Sequence, residues 1–520
     1  MKKTLARKIA CLLAATALTP AALFADSLTR VVAVQKGAEI TGIYEQGSDL
    51  FFNTQHPDDD LGNEYARAIV GVVSNVNWDA SELAVPTSEA DKKVVTTTLG
   101  DYQILMQAGD NGLGNINTIK GENILASTDP DFNGFVPTGD NEGLLFTNWE
   151  ERPGGMSRAK LARADDGTWT ASDIEMLDFS AVKGTWVNCF GTMSPWMTPL
   201  SSEELYFDNS SDWNNPGYKY HDGQQDLAKY LGTYPNPYDY GYIVEITDPA
   251  GAATPVKHFA MGRFSHENSV VMPDNKTVYL SDDGTGVVFF KFVADTAGDL
   301  SAGTLYAAKM TQRDAGNAAP SATTGFDVSW VELAHGSNDD VAAWIKDYDG
   351  ITPDQFEEGK NSYLTEADIA DWAAGKAADN RVAFLESRKA AAAKGATAEF
   401  RKMEGVNINY EGAKDGSVPF MYMAMSEVGK TMADGEGDVR LEANKCGVVY
   451  EMPLEADYDV KSMVPVVAGH GYDKANTPNA CPTDSISNPD NLIVRKDGSV
   501  VIGEDTGKHE NNMMWIWKRG

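Results

Sequence analysis

Residues 262–284 read GRFSHENSVVMPDNKTVYLSDDG. Two short apolar runs flank Pro273-Asp274-Asn275-Lys276, a turn whose Asp-Asn pair supplies the positive φ that tight reversals need. The pattern predicts a β-hairpin. Its charges are unusual. His266-Glu267 opens the first strand and Asp282-Asp283 closes the second. Turn chemistry alone explains one acidic residue, but not carboxylates at both strand ends.

The same unit recurs along the chain: DLFFNTQHPDDD (49–60), GLLFTNWEE (143–151), ELYFDNSSD (204–212), TVYLSDDG (277–284), FMYMAMSE (420–427) and SVVIGEDTG (499–507). Each is a short apolar strand running into polar or acidic residues, and several follow Asp-Gly or Asp-Asn turns. Six such units predict an all-β chain, a six-bladed β-propeller with irregular spacing, against a β-sandwich as the alternative. In a propeller the innermost strands converge on one axis, so polar groups at their ends meet in a central cavity. Residues 338–400 break the pattern. Thr352-Pro353-Asp354-Gln355 and Thr365-Glu366-Ala367-Asp368 read as helix starts, and NRVAFLESRKAAAAKG (380–395) as an Ala-rich helix with a Gly stop. The division is therefore propeller over 26–337, helical insertion over 338–400 and propeller again over 401–520.

The chain opens with Lys2, Lys3, Arg7 and Lys8, an apolar run and a small-residue site ending at Ala25. This is a Sec-type signal peptide by pattern, which implies a secreted or periplasmic protein with no membrane anchor. The formal net charge is −33, and removing the leader's cations deepens it. Such a field excludes nucleic acid and anionic membranes as partners. Beyond the leader stand three cysteines. Cys446–Cys481 is the expected disulfide and Cys189 the remaining thiol. No CxxC spacing occurs and the seven histidines are scattered, so a metal site must be built of carboxylates, which favours hard cations such as calcium.

The acidic candidates at strand ends are Glu203-Glu204, Glu267, Asp282-Asp283, Glu404, Asp490 and Glu504-Asp505. Each alone reads as a solvated edge or a turn residue. Their shared position is the argument, because like charges converge stably only around a cation or a shared proton. No Ser-His-Asp order, GxSxG elbow or phosphate-cradling glycine loop suggests other chemistry.

Several blocks resemble, in order, the secreted PhoX-type alkaline phosphatases: GDYQILMQAGD (100–110), PDFNGFVPTGDNEGLLFTNWEE (130–151), NCFGTMSPWMTPLSSEE (188–204), GRFSHE with YLSDDG, FRKMEG (400–405) and NPDNL (488–492). The resemblance implies a six-bladed propeller with a carboxylate-rich centre binding calcium and iron, and hydrolysis of small-molecule phosphate monoesters. Carried over by position, it makes Glu203, Glu267, Asp283 and Glu404 metal ligands, and Arg263 and Lys402 the cationic contacts to phosphate. Two departures stand out. Ser202 falls where the family carries a cysteine ligand to iron, which sets iron in question and calcium apart from it. DLFFNTQHPDDD resembles a strand near the family's C-terminus, so residues 40–60 are expected to close the ring beside the last strands. The missing thiolate keeps open a calcium-dependent hydrolase of another class, a lactonase or phosphotriesterase, and a calcium-bound propeller without catalysis.

Overall fold

A computed structural model describes residues 26–520 apart from 206, 208 and 358, so the expected leader lies outside it. The opening hairpin forms as read. Strands His266–Val271 and Thr277–Asp282 pair antiparallel and are buried along their whole length. Between them Asn275 takes φ 59°, and an Asp274 carboxylate oxygen accepts from the backbone N–H groups of Lys276 and Thr277 at 2.9 Å each.

Among the described residues the main sheets are successive antiparallel blades: three four-stranded, one five-stranded, and two joined edge to edge as one nine-stranded sheet. Blade 1 comprises Glu39–Gln46, Asp49–Gln55, Ile69–Ser74 and Asp101–Gln107. Blade 2 comprises Pro130–Gly139, Glu142–Trp149, Gly155–Arg163 and Trp169–Met176. Blade 3 comprises Asn188–Met193, Pro199–Glu203, Ile243–Thr247 and Thr254–Lys257. Blade 4 adds Phe290–Thr296 and Asp299–Gln312 to the opening hairpin, with Phe326–Ser337 outside them. Blade 5 comprises Met403–Ile408, Phe420–Met425, Val448–Pro453 and Ser462–Ala468. Pairing of Phe326 with Met463 joins its outer edge to blade 4. Blade 6 comprises Pro489–Val494, Val500–Glu504, Met513–Lys518 and Ser27–Ala33. The first strand of each blade packs on that of the next, and blade 6 returns to blade 1, which closes the ring. The propeller reading is borne out.

The core lies between blades rather than at one centre. Alternation along a strand sends successive side chains to opposite faces. Phe51 accordingly packs with Phe135 and Leu145 toward blade 2, and Phe52 with Val501 and Ile516 toward blade 6. Radial repetition leaves each blade only a short outer edge, and one strand locks the ring. The strand that closes it is Ser27–Ala33, paired with Met513–Lys518, and not residues 40–60. Those residues build the two inner strands of blade 1, because their long apolar runs are buried on both faces.

Between Ser337 and Phe400 lie helices Asn338–Ile345, Glu366–Ala373, Arg381–Leu385 and Ser387–Ala393. Thr365 and Asp368 form the reciprocal capping box. Thr352–Gln355 makes only a turn, not a helix. The Ala-rich helix breaks at Glu386, whose carboxylate accepts from Ser210 and Tyr238 hydroxyls at 2.6 and 2.8 Å. Those partners belong to a second excursion, residues 205–242 of blade 3, which carries helix His221–Leu231. Cys446 and Cys481 form a disulfide, and Cys189 is a buried free thiol.

Candidate metal centre

Pairing register explains where the acidic groups go. In blades 2 to 6 the first residue of the innermost strand pairs with the last residue of the second: Pro130 with Trp149, Asn188 with Glu203, His266 with Asp282, Met403 with Met425 and Pro489 with Glu504. One position further, the side chains turn to the axis. The innermost strands deliver Asp131, Cys189, Glu267, Glu404 and Asp490, and the second strands deliver Glu150, Glu204, Asp283 and Asp505. Blade 1 contributes Glu39 and Gln55, which pair directly. All line one cavity of about 240 Å³.

The acidic doublets split by the same alternation. Glu204, Asp283 and Asp505 face the cavity. Their neighbours Glu203, Asp282 and Glu504 face into the blade, where each meets a basic group. Glu203 pairs with Lys257 Nζ at 2.9 Å, Asp282 with the Arg388 guanidinium, and Glu504 with His509 Nδ1 at 2.9 Å.

The cavity wall carries eleven carboxyl groups against Lys402, Arg152 and His56. Three sets bring their ligand atoms within 4.8 Å of one another: Asp131–Glu150–Cys189, Cys189–Glu204–Glu267 and Glu267–Glu404–Asp490. Cys189 and Glu267 are each shared, so the sets run as a chain across the axis. Cys189 Sγ lies 3.3 Å from both Asp131 Oδ2 and Glu267 Oε2. Asp131 Oδ1 and Glu267 Oε1 are buried without a hydrogen-bond partner among the described residues. Orphaned carboxylate oxygens converging from several strands fit cations, since a buried unsatisfied acceptor is otherwise costly.

Electrostatics carry the same information. Burial, then mutual repulsion, pushes Glu39, Asp131, Glu204, Glu267 and Asp490 well above the usual carboxylate range. Burial also raises Glu150 and Glu404 to about 7, and it raises the Cys189 thiol, with Glu267 and Asp131 adding to the shift. Asp283 is the exception. Burial opposes its charge, but Lys402 and a hydrogen bond from Glu204 hold it below the ordinary value. Lys402 Nζ sits 2.9 Å from Asp283 Oδ2 and 3.3 Å from Glu404 Oε1. Around this shell, Ser426 Oγ donates to Glu404, Gln55 Nε2 to Glu150 and Asn491 Nδ2 to Asp490, at 2.6, 2.8 and 2.8 Å. Such contacts fix ligand orientation before any ion arrives.

Of the residues that the resemblance made ligands or phosphate contacts, Glu267, Asp283, Glu404 and Lys402 meet in the cavity, as do the strand-end candidates Glu204, Asp490 and Asp505. Ser202, Glu203 and Arg263 do not. Glu203 accepts from Trp186, Gly241 and Tyr242 backbone N–H groups and from Lys257. Its neighbour Glu204 takes the axial place. Ser202 Oγ is spent on the carbonyl oxygens of Phe190 and Glu267; the thiol in the cluster is Cys189. Arg263 donates to the carbonyls of Pro237, Tyr240 and Leu385 and to Ser210 Oγ, with its guanidinium 4.9 Å above the Tyr238 ring. It ties the 205–242 excursion to the helical insertion, away from the cavity. Asp131, Glu150 and Cys189 were not picked out as ligands. The strand-end rule that found Glu267 would have reached them once register was known.

The family model described as "Alkaline phosphatase PhoX" matches residues 169–520. Among solved structures, the chain is similar to Pseudomonas fluorescens PhoX in complex with vanadate, described there as a transition state analogue. The identity is 21%, over 74% of this chain and 77% of that one, with a TM-score of 0.51. Weaker likenesses are the calcium structure of a Trichoderma reesei carbohydrate-active enzyme of family AA12 (10% identity, 97% and 100% of the two chains, TM-score 0.36) and a putative 6-phosphogluconolactonase from Bacteroides fragilis (10%, 93% and 89%, TM-score 0.28). No curated protein matches by sequence.

Proposed function

The chain belongs to the PhoX family of alkaline phosphatases, metal-dependent phosphoric monoester hydrolases, and from that premise we propose that it cleaves small phosphate monoesters at the axial cluster, outside the cytoplasm. The observation that carries the assignment of the site is the chain of three ligand sets sharing Cys189 and Glu267. We assign the metal positions to Asp131, Glu150, Cys189, Glu204, Glu267, Glu404 and Asp490. Among the described residues only three of the cavity's eleven carboxyl groups have a basic partner at salt-bridge distance: Asp283 and Glu404 with Lys402, and Glu39 with His56. Oxygen ligands in such numbers suit calcium. A single thiolate among them suits iron at one position. With Cys189 in the cluster, the reason for preferring a lactonase or phosphotriesterase falls away.

Bound cations would supply Lewis-acid neutralisation of the charge on the phosphoryl oxygens. The chain's own groups do the rest. Lys402, held by Asp283 and Glu404, is placed to donate from Nζ to a phosphoryl oxygen. It acts as a compact point charge, without a guanidinium's two-pronged geometry. Glu204, whose carboxyl burial pushes well above its ordinary value, shares a hydrogen bond with Asp283, which lies below its own. Asn133 Nδ2 bonds Gly42 O at 2.9 Å, Asn491 Oδ1 accepts from Gly42 N at 2.7 Å and Asn268 Nδ2 bonds Val406 O at 3.0 Å. These amides staple neighbouring innermost strands beside the ligand positions and keep their spacing. Export is supported by the Cys446–Cys481 disulfide, which persists in oxidising compartments, and by the leader pattern of residues 1–25. The test is elemental analysis of protein purified without chelator, alongside turnover of a chromogenic phosphate monoester. Calcium and iron together with turnover is the expected result. Turnover that survives complete removal of metal would refute the reading.

A further inference from the structure

We propose that Arg152 is a substrate-binding residue that takes the phosphate group of the monoester at the cavity mouth, as the guanidinium counterpart of Lys402. The inference rests on the phosphatase reading. Arg152 follows the second strand of blade 2, and Lys402 precedes the first strand of blade 5, so the two cations that line the cavity come from opposite blades. Lys402 is held by Asp283 and Glu404. Both cations are half-buried, and so reachable by a solute.

Three features seat it. Its guanidinium lies 4.4 Å above the Tyr220 ring and 6.0 Å from that of Trp186. Stacking uses the face of the guanidinium, whereas phosphate is recognised by its in-plane N–H edge, so the two contacts draw on different parts of the group. The aliphatic stem runs against Gly223 of helix His221–Leu231. A Cβ at Gly223 would lie 2.5 Å from Arg152 Cβ and 3.0 Å from its Cδ. Only glycine leaves room for the stem there. The third feature is charge. A monoester dianion must enter a cavity walled by carboxylates on a chain of net charge −33, and a positive group at the mouth lowers that barrier.

Isothermal titration of the metal-loaded protein with inorganic phosphate tests this, paired with steady-state kinetics. Arg152→Ala is expected to weaken phosphate binding and raise KM about 10–100-fold, with kcat changed less and metal content unchanged. Added guanidinium should recover part of the loss, which a merely structural role would not allow. Arg152→Lys should recover only part of the affinity. Gly223→Ala should weaken phosphate in the same direction with the arginine still present. Unchanged phosphate affinity in Arg152→Ala overturns the proposal. A wild-type protein that binds phosphate through Arg152 yet turns over no monoester upholds the anion site and refutes the phosphatase reading instead. A wild-type protein that binds no phosphate overturns both.

Discussion

Glu203 and Glu204 are chain neighbours that face opposite ways. Glu203 is locked to Lys257 at 2.9 Å inside blade 3, and Glu204 lies on the axial cavity within ligand reach of Cys189 and Glu267. Glu203→Gln leaves the buried Lys257 ammonium without its counter-ion, at a cost of about 3–5 kcal/mol. Denaturant unfolding should show that loss, with turnover per folded molecule retained. Glu204→Gln should do the reverse. It should lower metal content and turnover at least tenfold, as loss of a ligand does, with unfolding little changed.

The thiol that matters is Cys189. Cys189→Ser should lose iron and keep calcium, read by elemental analysis. Ser202→Cys should leave the metal content as it is, because the side chain at 202 is aimed at the carbonyls of Phe190 and Glu267. A rise in iron on Ser202→Cys would show that the cluster is wrongly drawn.

Arg263 is a tie between two excursions. Arg263→Ala removes charge-assisted bonds to three carbonyls and should cost about 2–4 kcal/mol. Hydrogen exchange should quicken over 205–242 and 338–399, while kcat/KM stays within about threefold of wild type. A selective collapse of turnover with normal exchange would return Arg263 to the chemistry.

Protonation should set the stability of the metal-free protein. Folding raises Glu150 and Glu404 to about 7, from causes in which burial leads. Between the ordinary carboxylate value and 7 the folded state therefore holds more protons than the unfolded one. Stability falls as pH rises through that window, and the loss continues above it for groups raised further. Chelator-treated protein should melt several degrees lower at pH 8 than at pH 5. Calcium should reverse the order, because bound ions favour the ionised ligands. Equal melting at both pH values without metal would contradict the convergence of these carboxylates.

The fold was legible because strand, turn and acidic end recur as units, and the hairpin at 262–284 has its turn at the predicted Asn275. The site was legible in part. Glu267, Asp283 and Glu404 stand at strand ends and reach the cavity. Ser202 and Glu203 do not, for a specific reason. Pairing between Asn188–Glu203 and Gly191–Ser201 is irregular, and a shift of one residue sends a side chain to the other face. Residue order alone therefore does not say which member of the Glu203-Glu204 doublet faces the axis. Ring closure was misread for a related reason. An apolar run does not say whether it is an inner or an outer strand, and Ser27–Ala33 carries no acidic end to mark it. The Arg263 environment depends on residues as distant as Leu385, 122 positions away, and no local pattern announces it.

The most direct test of the account is Glu267→Gln, since Glu267 joins two of the three ligand sets and leaves Oε1 without a hydrogen-bond partner among the described residues. Turnover of a chromogenic phosphate monoester should fall by at least about 100-fold, in line with loss of a shared metal ligand, with the melting transition still cooperative. Wild-type turnover by that variant would contradict the placement of the chemistry on the propeller axis.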